Sequence, residues 1–532
     1  MTWDAVVIGS GFGGAMAAHQ LVAAGQRVLM LERGGWVARG PQNWGPNGVG
    51  LVTPHFTTES PYDVTADGRR YRAASWHCVG GQSVFYGGAS FRFRQRDFDV
   101  VTEIVRRSGA AWPFDYEALE PFYTRAEQLL GVCGDAGADP TEPPRRAPYP
   151  RPPDQLSRSS TVIAAAARRL GLHPFRIPLA ISFEGSEGRH ACIRCGTCDG
   201  YACAAESKND IATAIIPGLL RRGMVLRANT VCVRLVRERS RIAAVECVDR
   251  VTGTRSRVAA EQVVLAGGSL ATPHLLLASR LAAANSAAPV IGRYLTRHRN
   301  VVVFGVFAHR PNPEREFDKQ IAVHDFYHGV HADGVPSGPL GSIQQMTPPE
   351  GLVRAYVPRL ARDPAAALVA HALGLLVIAE DQPRADNRVE VDWTARDRFG
   401  LPGLRVHHAY TPRDEAATGV LIHHAKRILR EAGARLTFVQ PVETFSHALG
   451  TVRMGNDPLS APLDEHGAYR GIDNLFVVDG STLPRSAGVN PSLTIAANAL
   501  RIGAHIAGTE SRPSYHQRRT LAVLSPSASA RL

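Results

Sequence analysis

Long apolar runs are missing from this 532-residue chain. No stretch reaches the roughly 20 residues that a bilayer-spanning helix requires. The longest candidate, residues 365–379, is interrupted by His371 and reads as a buried segment. The start, Met1-Thr2-Trp3-Asp4 running into Ala5-Val6-Val7-Ile8, has no basic leader, no apolar core long enough for a secretion signal and no cleavage site. The chain is therefore expected to be cytoplasmic, with no membrane span. A basic block interleaved with aromatics is also missing. The net charge is +12, but the arginines and lysines are scattered, which argues against a nucleic-acid partner. Charged residues make up only 20% and apolar residues 44%, which excludes general disorder and predicts a large core in two domains, or in one with insertions. Only the Ser/Arg-rich tail, 511–532, is expected to be disordered. Cysteine is sparse. Eight occur, four of them between 192 and 203, and a reducing compartment argues against structural disulfides.

What is present starts at once. Residues 4–8 read as a buried strand, 13–24 as an alanine-rich helix and 27–31 as a second strand. Between the first two lies Gly9-Ser10-Gly11-Phe12-Gly13-Gly14, a G-x-G-x-x-G turn. Its glycines permit a tight turn and a close backbone approach to a pyrophosphate, and the helix behind it offers free N–H groups. Glu32, at the end of the second strand, is placed to accept from ribose hydroxyls. No second such unit is evident for a nicotinamide cofactor. Further along, 115–131 has helical spacing and 139–154 is a proline-rich surface loop. Residues 225–250 read as antiparallel strands, and 262–266 and 475–478 as short strands. Residues 491–507 read as a helix opened by Pro491.

Two C-terminal segments carry candidate chemistry: Ser446-His447-Ala448-Leu449-Gly450 and Val477-Val478-Asp479-Gly480, the latter continuing to Gly488-Val489-Asn490-Pro491-Ser492. Supporting pieces are Val79-Gly80-Gly81-Gln82-Ser83, Ala266-Gly267-Gly268-Ser269 and Ile291-Gly292-Arg293-Tyr294-Leu295. With the N-terminal turn, in this order, they resemble the glucose–methanol–choline family of FAD oxidoreductases over nearly the whole chain. The resemblance implies oxidation of an alcohol carbon, with His447 and Asn490 catalytic. It implies cofactor contacts at Gly9, Ser10, Gly11, Gly14, Glu32, Gly80, Gly81, Ser83, Val231, Asp479, Gly480, Asn490 and Pro491. The residue types suit that chemistry: a neutral histidine takes a hydroxyl proton, and a carboxamide fixes the same oxygen. A helix N-terminus aimed at the flavin would stabilise its reduced, anionic form.

Some positions depart from the family's pattern. By register, Phe85 stands where some members attach FAD through a histidine, so noncovalent FAD is expected. Tyr86 replaces a common asparagine, Arg280 a glycine, and Arg297 an acid before His298. Cys192, Cys195, Cys198 and Cys203 approach the spacing of an iron–sulfur run, with one residue too many and no following proline. An iron–sulfur cluster, zinc, redox thiols and plain loop packing all stay open there. The other histidines singled out, His407, His408, His423 and His424, are read as structural or surface residues.

The expected fold is α/β: a Rossmann-like, discontinuous FAD-binding domain (1–100, 185–300 and 445–510), a flanking region (100–184) and a sheet-plus-helices substrate domain (300–445). The expected substrate is a small-molecule alcohol, first a sugar, glycoside or aminoglycoside-like polyol, with a sterol or long-chain alcohol as the alternative. The electrons would go to oxygen or an unknown carrier. A cyanohydrin lyase that keeps FAD only for structure is the alternative of another class.

Overall fold

In the computed structural model, residues 3–44, 62–73, 76–185, 188–330, 332–348 and 358–509 are described. The expected disordered tail lies outside them.

The first strand, β1 (Trp3–Ile8), takes the middle of a five-stranded parallel sheet. Its neighbours are β10 (Ala260–Leu265) and β2 (Val28–Leu31). β18 (Leu475–Val477) and β6 (Val225–Arg227) form the edges. Near-continuous apolar runs such as Ala5-Val6-Val7-Ile8 suit a sheet covered on both faces. The helices Phe12–Ala23 and Ser492–Ile506 pack against each other beside it, and their buried residues belong to one large core with the strands. The sheet thus draws on chain segments hundreds of residues apart.

A second sheet of six strands is antiparallel throughout, in the order β17-β11-β14-β13-β12-β5. Its strands are β5 (Phe175–Arg176), β11 (Arg299–Val306), β12 (Ile321–Val323), β13 (Gly341–Met346), β14 (Ala372–Ala379) and β17 (Leu436–Pro441). Odd-numbered residues such as Val301, Val303, Ile343, Leu375 and Val377 face the helices Arg158–Arg169 and Pro412–Glu431 and share a core with them. Strand alternation sends the even-numbered residues to the opposite face. The remaining strands form a four-stranded sheet and a three-stranded one. The first has the order β15-β16-β3-β4: Arg388–Arg396, Pro402–His408, Tyr62–Ala66 and Arg69–Ala73. The second is β7 (Thr230–Glu238), β8 (Arg241–Asp249) and β9 (Arg255–Val258).

The structure corrects three local expectations. Only Thr230–Asp249 of the 225–250 stretch is an antiparallel hairpin, because Arg227 is hydrogen-bonded to Glu32 and β6 pairs in parallel with β2. The chain reverses between them at Asn229, in the left-handed region. The segment 365–379 divides at His371 into an exposed helix, Arg362–Ala370, and the buried strand β14. Pro491 caps the last helix rather than opening it, a shift of one residue. Among the described residues no helix is long and apolar enough to cross a membrane.

Candidate active site

The glycine-rich turn is held by backbone crowding. A Cβ on Gly14 would lie 2.0 Å from Gly9 O, and one on Gly9 would lie 2.3 Å from Ala266 O, so neither position admits a side chain. Gly11 differs, since a Cβ there would meet nothing within 4 Å. The helix that follows has no side-chain cap, which leaves its first N–H groups free to meet an anion. Glu32 closes the turn: its carboxylate accepts from Ser10 N (3.1 Å), Ser10 Oγ (2.6 Å) and Gly34 N (2.9 Å). Burial raises its pKa, with these donors opposing. Ser10 Oγ also accepts from Gly80 N (2.9 Å), which pins Gly80-Gly81 onto the turn. Ser83 Oγ is committed to Gly80 O (2.6 Å) and Ile211 N (3.0 Å). Val231 is buried on β7 just beyond Thr230, whose N–H donates to Glu32 O.

Asp479 sits across the turn at the end of β18. Its buried carboxyl accepts from Gly268 N (2.9 Å), Thr272 Oγ1 (2.5 Å) and Ser481 N (2.9 Å), and burial pushes its pKa up. Gly480 O accepts from Gly450 N, and Ser481 O from Val452 N, so the 479–490 segment runs alongside the one that carries His447. Pro491 stands at the head of Ser492–Ile506, a second helix with no side-chain cap. Ser492 Oγ donates to Ala89 O (3.1 Å), which ties this end to the Gly80–Ala89 region. Asn490 Oδ1 is buried with no partner.

His447 is half-buried. Its Nδ1 lies 3.0 Å from His298 Nδ1 and 3.5 Å from Asn300 Nδ2. His298 Nε2 lies 2.8 Å from Ser486 O, a carbonyl that can only accept, so Nε2 of His298 carries the proton. In the neutral ring Nδ1 of His298 is then bare and accepts from Nδ1–H of His447, which leaves Nε2 of His447 with a free lone pair. Both rings are held below their ordinary pKa. Burial is the first cause for each, and for His447 it is joined by repulsion from Lys319 and from His298 whenever that ring takes up a proton. Asp381 fixes the His298 backbone, accepting from Arg297 N (2.9 Å), His298 N (3.1 Å) and Ser486 Oγ (2.7 Å). Arg297 in turn stacks on Phe445 at 4.6 Å and donates to Glu443 O (3.1 Å), so it joins the two histidine-bearing segments. His298, Asn300 and Asp381 were not found as site residues from the sequence. The signal available was a polar Asn300 at the head of the apolar run of β11.

The departures have structural counterparts. Phe85 is buried, edge-on to Trp76 at 4.1 Å. Tyr86 Oη donates to Asn209 O. Arg280 takes a φ of +58°, the conformation that favours glycine, and stacks on Trp393. His407 pairs with Glu390 on a partly exposed strand, while buried His408 lies 3.6 Å from Asp381.

The metal expectation at Cys192, Cys195, Cys198 and Cys203 is not supported. Among the described residues no three His, Cys, Asp or Glu side chains are grouped to hold an ion. The loop is shaped by other bonds: Gly200 N donates to Phe85 O, and the buried Lys208 Nζ donates to Tyr86 O, Cys198 O and Tyr201 O. Burial pushes the Cys192 thiol up to about 11 and holds the Cys198 thiol well above its ordinary value, so both stay protonated. Cys195 Sγ faces Thr197 Oγ1.

Patterns of the N- and C-terminal parts of GMC oxidoreductases match residues 4–300 and 383–499. The chain belongs to the GMC oxidoreductases. It is 33% identical over 523 residues to 6'''-hydroxyparomomycin C oxidase of Streptomyces lividus, covering 95% of this chain and 91% of that protein. It is 32% identical over 527 residues to paromamine 6'-oxidase of Streptomyces fradiae, with the same coverage of each. Pyridoxine 4-oxidase from Mesorbium loti shares the fold, with a TM-score of 0.67 at 18% identity over 95% of this chain and 99% of that one. As a GMC oxidoreductase the protein is an FAD-dependent enzyme that oxidises alcohols. The open Gly11 position and the uncapped helix start are the features that fit a dinucleotide here.

Proposed function

We propose that this GMC oxidoreductase oxidises one hydroxyl of a sugar, glycoside or aminoglycoside-like polyol, with noncovalent FAD. His447 takes the hydroxyl proton at Nε2 while Asn490 holds the oxygen through its carboxamide. FAD, when bound, supplies the hydride acceptor at the carbon. Ser10, Gly11, Gly14 and Glu32 would hold its dinucleotide end, with Gly9 shaping the turn. Gly80, Gly81, Ser83, Val231, Asp479, Gly480 and Pro491 shape the walls around it. The uncapped end of Ser492–Ile506 favours negative charge near Asn490. The two electrons then leave to oxygen or to a carrier.

One observation carries the mechanism: the His298–Ser486 hydrogen bond leaves His447 a single tautomer, with its acceptor nitrogen free. The substrate class rests on the two aminoglycoside-type oxidases among the relatives, each about one-third identical over nearly full length. All eight cysteines are thiols, in keeping with a cytoplasmic site of action. The test is anaerobic mixing of the FAD-loaded enzyme with sugars, aminoglycosides, sterols and alkanols. Flavin bleaching by the first two groups supports the reading. Bleaching by sterols or alkanols alone would sink it, and turnover of a cyanohydrin with the flavin still yellow would make the protein a lyase.

A further inference from the structure

The even-numbered face of the antiparallel sheet carries unspent hydrogen-bonding capacity. Cross-strand register sets Asn300, Ile378 and Ser342 in one row, and Val302, Leu376, Gln344 and Ala322 in the next. Partners in these rows share a face, and it is the face turned away from the helices Arg158–Arg169 and Pro412–Glu431. Asn300 reaches toward His447 Nδ1 at 3.5 Å, so this face borders the proposed catalytic pair. The 488–490 turn meets the same sheet: a Cβ on Gly488 would lie 2.7 Å from Gly341 Cα, at the first residue of β13.

Three side-chain oxygens in this region are buried without a partner: Asn300 Oδ1, Gln344 Oε1 and Asn490 Oδ1. Their residues are 5%, 0% and 9% exposed. Gln344 is anchored at its other end, with Nε2 donating to Ser342 Oγ at 3.1 Å. That bond orients the amide and leaves its oxygen as the free end. A plain core would fill this row with apolar groups, as Val302, Leu376 and Ala322 do. A buried acceptor with nothing to accept is costly, and a hydrocarbon laid over it would not relieve the cost. A hydroxyl or amino group would.

We propose that Gln344 is a specificity-determining residue that accepts a hydrogen bond from a second O–H or N–H group of the substrate, on a carbon near the reacting carbinol. The proposal rests on the polyol reading above and deepens it. It makes the β13–β14–β11 wall discriminate by hydrogen-bond donors, against alcohols whose remainder is hydrocarbon. Asn300 lies beside His447, 3.5 Å from its Nδ1, so Gln344 is the cleaner probe.

The test compares FAD-loaded wild type, Gln344→Leu and Gln344→Glu in anaerobic flavin reduction by methyl glucoside, its amino-sugar counterpart and hexanol. For the two glycosides, Gln344→Leu is expected to raise the half-saturating concentration about 10-fold or more, with the limiting rate moved less than about 3-fold. Hexanol should be unaffected or improved. Gln344→Glu keeps an acceptor oxygen and should recover part of the loss, and its melting temperature controls for folding. Equal losses for glycosides and hexanol, or no loss for the glycosides, would overturn the role of Gln344 while leaving the polyol reading in place. A wild-type flavin that no glycoside reduces would overturn the polyol reading and this one together.

Discussion

His298 and His447 meet through their Nδ1 atoms at 3.0 Å, with the rings at 86° to each other. Because His298 spends its only N–H on Ser486 O, the contact acts in one direction: His447 donates and His298 accepts. This fixes which nitrogen of His447 is left with a free lone pair.

Replacing His298 tests this positioning role. His298→Phe is expected to lower the limiting rate of flavin reduction about 10- to 100-fold with bound FAD retained, since the His447 tautomer is no longer enforced. The pH profile separates this from a purely structural loss. In wild type both rings are held below their ordinary value, so His447 stays in its base form as pH falls through the imidazole range. kcat/KM should therefore remain level as pH falls through the ordinary imidazole range, with its acid limb lying below that range. Removing His298 removes one cause of the lowering, so the acid limb should move to higher pH. A limb that stays in place would refute the relay.

His447 itself bears the larger effect. His447→Ala should cut the limiting rate of flavin reduction by about 10²- to 10⁴-fold, the usual contribution of a positioned base. FAD content and melting temperature should change little, because the ring is only half-buried. Stopped-flow absorbance of the flavin band gives the rate. Full activity in this variant would end the mechanism.

The flavin link is checked by denaturation. Phe85 has no group able to bond to a flavin carbon and is packed against Trp76. Acid precipitation of the holoenzyme should leave a colourless pellet and all FAD in the supernatant. Yellow colour retained by the washed pellet would contradict this.

The cysteine loop is checked by metal analysis. Anaerobically purified protein should contain neither iron and acid-labile sulfide nor zinc in stoichiometric amount. Cys195→Ser should leave activity within about 2-fold, as expected for a partly exposed side chain in a loop. Cys198→Ser should lower the melting temperature, because it places a hydroxyl where a buried thiol now packs. One or more equivalents of metal lost together with activity in Cys195→Ser would restore the metal reading.

Much of the nucleotide-binding region was legible in the chain because its determinants are local. Strand, glycine turn, helix, strand and Glu32 follow one another within 32 residues, and each step has its own signature in apolar runs and glycine. The same holds for the helix beyond Pro491, misplaced by one residue. Local reading failed where a partner came from far away. β6 reads like part of a hairpin, but its edge position beside β2 depends on pairing across almost 200 residues. The cysteine spacing suggested a metal, yet the loop's path follows Lys208 and Phe85.

The sequence by itself determined the family, the cofactor turn and the two residues expected to act at the substrate, because those rest on short motifs with a mechanism attached. Only the tertiary structure decided what surrounds them. His298 lies 149 positions from His447, and nothing near either residue announces the other. Asn300 and Gln344 share a wall only because β11, β14 and β13 pair in one register. Burial, tautomer and unspent hydrogen-bonding capacity are properties of groups brought together by folding, and the order of residues along the chain does not contain them until that pairing is made.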